Sequence, residues 1–232
     1  MQIDGVLHRN SILLFAVVSA VIVWGFWPSY YAHPWQLPSA RYHVHGVVMT
    51  AWLVMLLAQA YLIRSNRRSA HRALGKASFV LAPLVVVMFV IMIHGIAAAH
   101  SLPVEVQPIF LFYVLGAALL FAVFYALAIV YRKTPATHAR FMVCTVFPIY
   151  TAGTDRIAAQ VFPDADPLLV TPVAWALGDL LLLALAIWDW RSRRRISAFA
   201  VAFAALLTYQ SLSFVAPVIP GWVAFTEWFA SL

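Results

Sequence analysis

Charge is scarce in this chain. Of its 232 residues only 10% are Asp, Glu, Lys or Arg, 64% are hydrophobic, and the mean hydropathy is +0.89. A soluble domain of this length carries far more charge, so a water-soluble globule is excluded and a polytopic membrane protein is implied. Acidic residues are the scarcer sign, 8 against 15 Lys and Arg, for a formal net charge of +7. That excess does not point to nucleic acid. Nearly all the basic residues fall in three short segments between apolar runs, which is the positive-inside pattern rather than a phosphate-binding patch. Cysteine is almost absent: Cys144 stands alone inside an apolar run and has no partner for an intrachain disulfide. The start, MQIDGVLHRN, has one Arg before its apolar run and lacks a clear small-residue cleavage site. It reads as a retained helix, not a signal peptide. There is no soluble domain and no sustained internal repeat.

What is present is a series of apolar runs long enough to span a bilayer. The prediction is an all-α fold, a single transmembrane domain over 1–232 with seven helices at 11–31, 44–63, 76–99, 109–131, 139–162, 168–190 and 196–218. The second of these organises the rest. From Val44 to Ile63 it offers about 20 apolar residues, or roughly 30 Å of helix. His45, Met49, Trp52, Leu56 and Gln59 recur along it at three- and four-residue steps, so its polar groups share one face, and that face should point into protein. The basic clusters Arg64–Lys76, Arg132–Arg140 and Arg191–Arg195 all fall on one side, and Glu105, Asp164, Asp166 and Glu227 on the other. This places the N-terminus in the cytoplasm and the C-terminus outside, in the bacterial inner membrane. Pro34 and Pro38 break the first outer loop, Pro83 is expected to kink the third span, and the fourth, without an ionisable residue, reads as a packing helix.

Ionisable groups inside a membrane are expensive and carry a functional hypothesis by default. Depth sorts them into two layers. His94 stands roughly 17 residues above the inner end of its span and Asp155 roughly 15 above that of its own, so both lie about 22–26 Å up. His45 enters from the outer side at a comparable level with His43 above it, and Gln210 and Asp179 lie near. Imidazole and carboxylate suit a metal or a haem iron. The competing reading is structural: His45 bonds a neighbouring carbonyl, and Asp155 pairs with Arg156 or another helix. Adjacent helical residues point about 100° apart, however, so Asp155 and Arg156 cannot form one compact pair. Asp155 should turn inward, within one side-chain layer of His94, and Arg156 should lie on the rim of the same cavity. The inner layer is His71-Arg72-x-x-Gly75 and His138-x-Arg140-x-Met142, both leading into helices. The helix dipole there favours neutral imidazole ligands, although His and Arg at an inner interface equally suit lipid headgroups and caps.

The order His45-Gly46, Trp52, Gln59, Arg64, His71-Arg72-x-Leu74-Gly75, His138-x-Arg140-x-Met142, Arg156 resembles a group of uncharacterised bacterial membrane proteins. The match covers the second to fifth spans. That four-helix core is also similar to the dihaem cytochromes b of the b561 and ferric-reductase type, in which facing His pairs hold a haem near each surface. The resemblance implies haem b as cofactor, bound by His45, His94, His71, His138, Arg72, Arg140 and Arg156. It implies electron transfer with quinone or a redox partner. A retinal protein is excluded, because the lysines, Lys76 and Lys133, both lie in inner loops. A zinc hydrolase of the ceramidase and adiponectin-receptor type would need a paired H-x-x-x-H late in the chain, and the last two spans contain no His. Two alternatives stay open. One is a metal-dependent membrane enzyme or metal-handling assembly factor, with zinc or copper on His43, His45, His94 and Asp155. The other is a cofactor-free accessory subunit of a membrane complex, with the fourth span among its partner surfaces.

Overall fold

The computed structural model describes residues 3–37, 39–193 and 197–232, and among them every regular element is helical. Pro38 of the first outer loop, Arg194 and Arg195 of the third basic cluster, and Ile196, the predicted start of the last span, lie outside the described residues. Among the described residues six helices are long and apolar enough to cross a membrane. Exposed Leu13, Val47, Val80, Leu84, Leu169, Val173 and Leu177 give their outer faces the apolar character that lipid demands. The chain is thus a membrane protein by length, composition and surface.

Helix α1, Ile3–Phe26, continues through a wide turn at Trp27–Tyr31, where Pro28 supplies no amide proton and the Ala32 amide reaches back to the Trp27 carbonyl at 2.8 Å. Helix α2, Ala40–Arg64, starts four residues before the apolar run, with Ser39 Oγ accepting from the Arg41 amide at 3.4 Å. Asn66, at φ 58°, turns the chain straight into α3, Arg68–Ala98. The helix itself thus begins at Arg68, ahead of the span expected from 76. The basic residues of this segment are good helix formers and wind on as helix after the apolar pattern has ended. Pro83 sits inside α3 without ending it.

Helix α4, Gln107–Val130, is the hub, touching α3 and the later helices α5, Pro135–Cys144, α6, Phe147–Val161, α8, Ala198–Val215, and α9, Pro220–Ser231. One side of it, Leu111, Tyr113, Ala117, Ala118, Phe121, Phe124 and Ala128, is buried inside the chain, while Leu119, Val123 and Val130 are exposed on another. Helix α7, Pro167–Arg193, packs on α6 and α8. The predicted span at 139–162 is the main departure. It divides into α5 and α6 at Thr145 and Val146, because Pro148 has no amide to give to the Cys144 carbonyl. Where α2, α3, α4 and α8 meet, Trp52, Leu56, Phe121, Phe124 and Phe199 are fully buried or nearly so. Trp52 stands edge-on to Phe121 at 5.0 Å, so the polar face of α2 does point into protein.

The ends of the helices sort by charge. Arg64, Arg68, Arg72, Lys76, Arg132, Lys133 and Arg191 lie at one end of the bundle, the basic end. At the other, α9 packs across the last turns of α3 and the first of α4, with Trp222 donating to the Pro108 carbonyl at 2.9 Å.

Candidate functional site

A cavity of about 860 Å³ opens at the basic end, walled by α1, α2, α3 and α5 and by the last turn of α4. Most of its wall is apolar, from Phe15, Met55, Leu56, Ile63 and Phe79. Into it come both inner histidines. His71 lies in the first turn of α3 and His138 in the first turn of α5, and their ring centroids are 6.4 Å apart with planes at 83°. His138 Nδ1 lies 2.8 Å from the Ala128 carbonyl of α4. A carbonyl only accepts, so Nδ1 carries the proton and Nε2 keeps its lone pair. A carbonyl bonded to one ring nitrogen in this way orients an imidazole that ligates through the other. His71 Nδ1 and Gln59 Oε1 are buried without a partner.

Arg68, Arg72, Lys76 and Arg132 also line the cavity and give it a cationic margin. Arg140 borders it too, yet its guanidinium is engaged elsewhere. Nε and Nη2 donate to the two carboxylate oxygens of Asp189 on α7, both at 2.7 Å, and Nη1 donates to the Ala136 carbonyl at 2.7 Å. Arg140 and Asp189 are 3% and 1% exposed, so this is a fully desolvated bidentate pair. The structure gives Arg140 a role the sequence reading did not foresee. Asp189 was missed because its span ends in a basic run. The available signal was a lone carboxylate between Trp188 and Trp190, next to that run.

The outer set disperses. His45 stands edge-on to Phe89 of α3 at 6.4 Å, and His94 edge-on to Phe229 of α9 at 5.3 Å. His43 packs beside Tyr30, whose hydroxyl donates to its backbone carbonyl at 3.4 Å. Asp155 on α6 accepts at Oδ2 from the Tyr113 hydroxyl at 3.0 Å and from Trp175 Nε1 at 3.1 Å. Helix α6, which carries Asp155, packs on α1, α4 and α7, and α3, which carries His94, packs on α2, α4 and α9. Asp155 faces the interior, bonded to Tyr113 of α4 and Trp175 of α7. Arg156 does point away from Asp155, laying its guanidinium 4.0 Å over the Phe26 ring and donating to the Ala152 carbonyl. Gln210 donates to Asp179 at 3.4 Å. Among the described residues no three His, Cys, Asp or Glu side chains come together as a metal site. Four of the predicted positions, His71, His138, Arg72 and Arg140, line one cavity. No family model, curated protein or solved structure matches this chain.

Proposed function

We propose that the protein holds a b-type haem in the cavity at its basic end and serves in electron transfer. One observation carries this reading, the two imidazoles brought to 6.4 Å over a single apolar cavity. Two metal–nitrogen bonds of about 2 Å each, with a ring radius added at either end, separate a bis-imidazole pair by about 6 Å. The rest of the cavity suits the same group. An apolar wall accepts a flat macrocycle, and Arg68, Arg72, Lys76 and Arg132 suit its carboxylates. The Ala128 carbonyl holds His138 in the tautomer that ligates through Nε2. His71 and His138 would hold the haem, and the haem would supply one-electron exchange. The donor or acceptor would be quinone or a redox partner meeting the basic face.

The topology that goes with this reading has seven crossings, α5 and α6 together making the fifth. The N-terminus and basic loops lie in the cytoplasm of a bacterial inner membrane and the C-terminus on the far side. The contacts of the divided helix support it. Arg140 pairs near the end of α7, while Gln160 donates at 3.0 Å to the Gly25 carbonyl near the end of α1, at the opposite end of the bundle.

Purification with added haem tests the proposal. The expected product has a Soret band and sharp reduced α and β bands, lost in H71A and in H138A with the helical fold retained. A colourless, iron-free protein would end it. The orphaned Gln59 Oε1 and His71 Nδ1 favour a second reading, a quinol hydroxyl hydrogen-bonded in the same cavity. Stoichiometric quinone co-purifying without haem, and lost in Q59L, would decide for that.

A further inference from the structure

At the other end of the bundle lies a polar group that the basic-end cavity does not use. The Tyr113 ring is stacked between Trp175, at 4.9 Å and 13°, and Tyr209, at 6.0 Å and 16°. Asp155 accepts from the edge of this stack with Oδ2 alone, and its Oδ1 is buried without a partner. The Tyr209 hydroxyl is also buried without a hydrogen-bond partner, on a residue only 7% exposed whose ring stacks on Tyr113, the donor to Asp155. Two buried oxygen atoms, on residues that both contact Tyr113, thus have coordination to spare.

Among the described residues no cation is in contact with Asp155. From α1 come Phe26 and the Gly25 backbone, and from α4 Tyr113. From α7 come Trp175 and, a turn further on, Asp179, which is held by Gln210 of α8 beside Tyr209. On α6 itself Arg156 acts on Asp155 only from a distance, its guanidinium being seated on Phe26. A carboxylate among helices apolar enough to cross a membrane needs a counter-charge. We propose that Asp155 Oδ1 and the Tyr209 hydroxyl form a binding site for an exchangeable monovalent cation, a proton or a sodium ion. One carboxylate with neutral hydroxyls is too little for Ca²⁺ or Mg²⁺, which take six or more oxygen ligands.

The full-length protein in liposomes tests this by infrared difference spectroscopy of its carboxyl groups. Samples are stepped in pH in choline chloride and, separately, exchanged into sodium chloride at fixed pH. A carbonyl response to the pH step alone identifies the proton as occupant, and a response to sodium as well identifies sodium. D155N must abolish that response, and Y209F must move its midpoint by about tenfold in cation concentration, as expected for one hydrogen bond to a charged group. Identical difference spectra from wild type and D155N would overturn the site, as would an unmoved midpoint in folded Y209F. Should D155N fail to fold, D155E takes its place: a shifted carbonyl response supports the assignment and an unshifted one refutes it.

Discussion

Arg140 and Asp189 show how a single residue can be misread when its partner is far along the chain. The guanidinium two residues from His138 suggests a ligand clamp, yet it forms both halves of a bidentate pair with α7 and a third bond to its own helix. Helix α5 has ten residues and no side-chain N-cap, too short to be stable by itself, so this pair and the packing on α4 and α8 must hold it. Breaking a buried pair leaves one uncompensated charge. D189N or R140Q should each lower unfolding stability by about 3–5 kcal/mol, read as the midpoint in a mixed-micelle denaturation series. The double variant R140M/D189L should recover most of that loss, and a double variant as unstable as the sum of the singles would argue against a mutual pair. If His138 ligates, D189N should also broaden or shift the haem bands without abolishing them.

At the level of whole helices, the crossing of α1 and α6 depends on two glycines. A Cβ on Gly25 would run into the Gly153 carbonyl, and a Cβ on Gly153 would stand 3.0 Å from the Ile22 backbone. Without a hydrophobic drive between helices in lipid, close backbone approach of this kind is what makes them adhere. G25L should therefore destabilise by about 1–3 kcal/mol or displace α1, measured by thermal melting and by loss of a disulfide cross-link engineered between the two helices. An unchanged melting curve would mean the helices are not held together here. The break between α5 and α6 belongs to the same scale. Pro148 was visible in the sequence, but composition alone does not say whether a proline bends a helix or ends it. Pro83 and Pro172 lie inside α3 and α7, while Pro148 coincides with a helix start.

For the molecule as a whole, the testable quantity is the side on which each end lies. With Cys144 fully buried and inert, single cysteines at Asn66 and Ser231 report topology through a membrane-impermeant thiol reagent. Asn66→Cys should label only from the cytoplasmic side and Ser231→Cys only from the opposite side. Labelling of both from one side would mean that α5 and α6 do not make a crossing. Much of this architecture was legible beforehand, because transfer of a residue to lipid is a local property that a run of 20 side chains records by itself. Hence the apolar spans, the basic loops at one end and the inward face of α2 with Trp52 follow from the sequence. Which polar groups meet is not local. His71 and His138 share a cavity because α3 and α5 both start at the basic end and flank it, whereas His94 meets Phe229 of α9 and Asp155 meets Tyr113 of α4 and Trp175 of α7. Depth is counted along one helix, but neighbours are fixed by the order in which helices pack around the hub, and only the tertiary structure decides that.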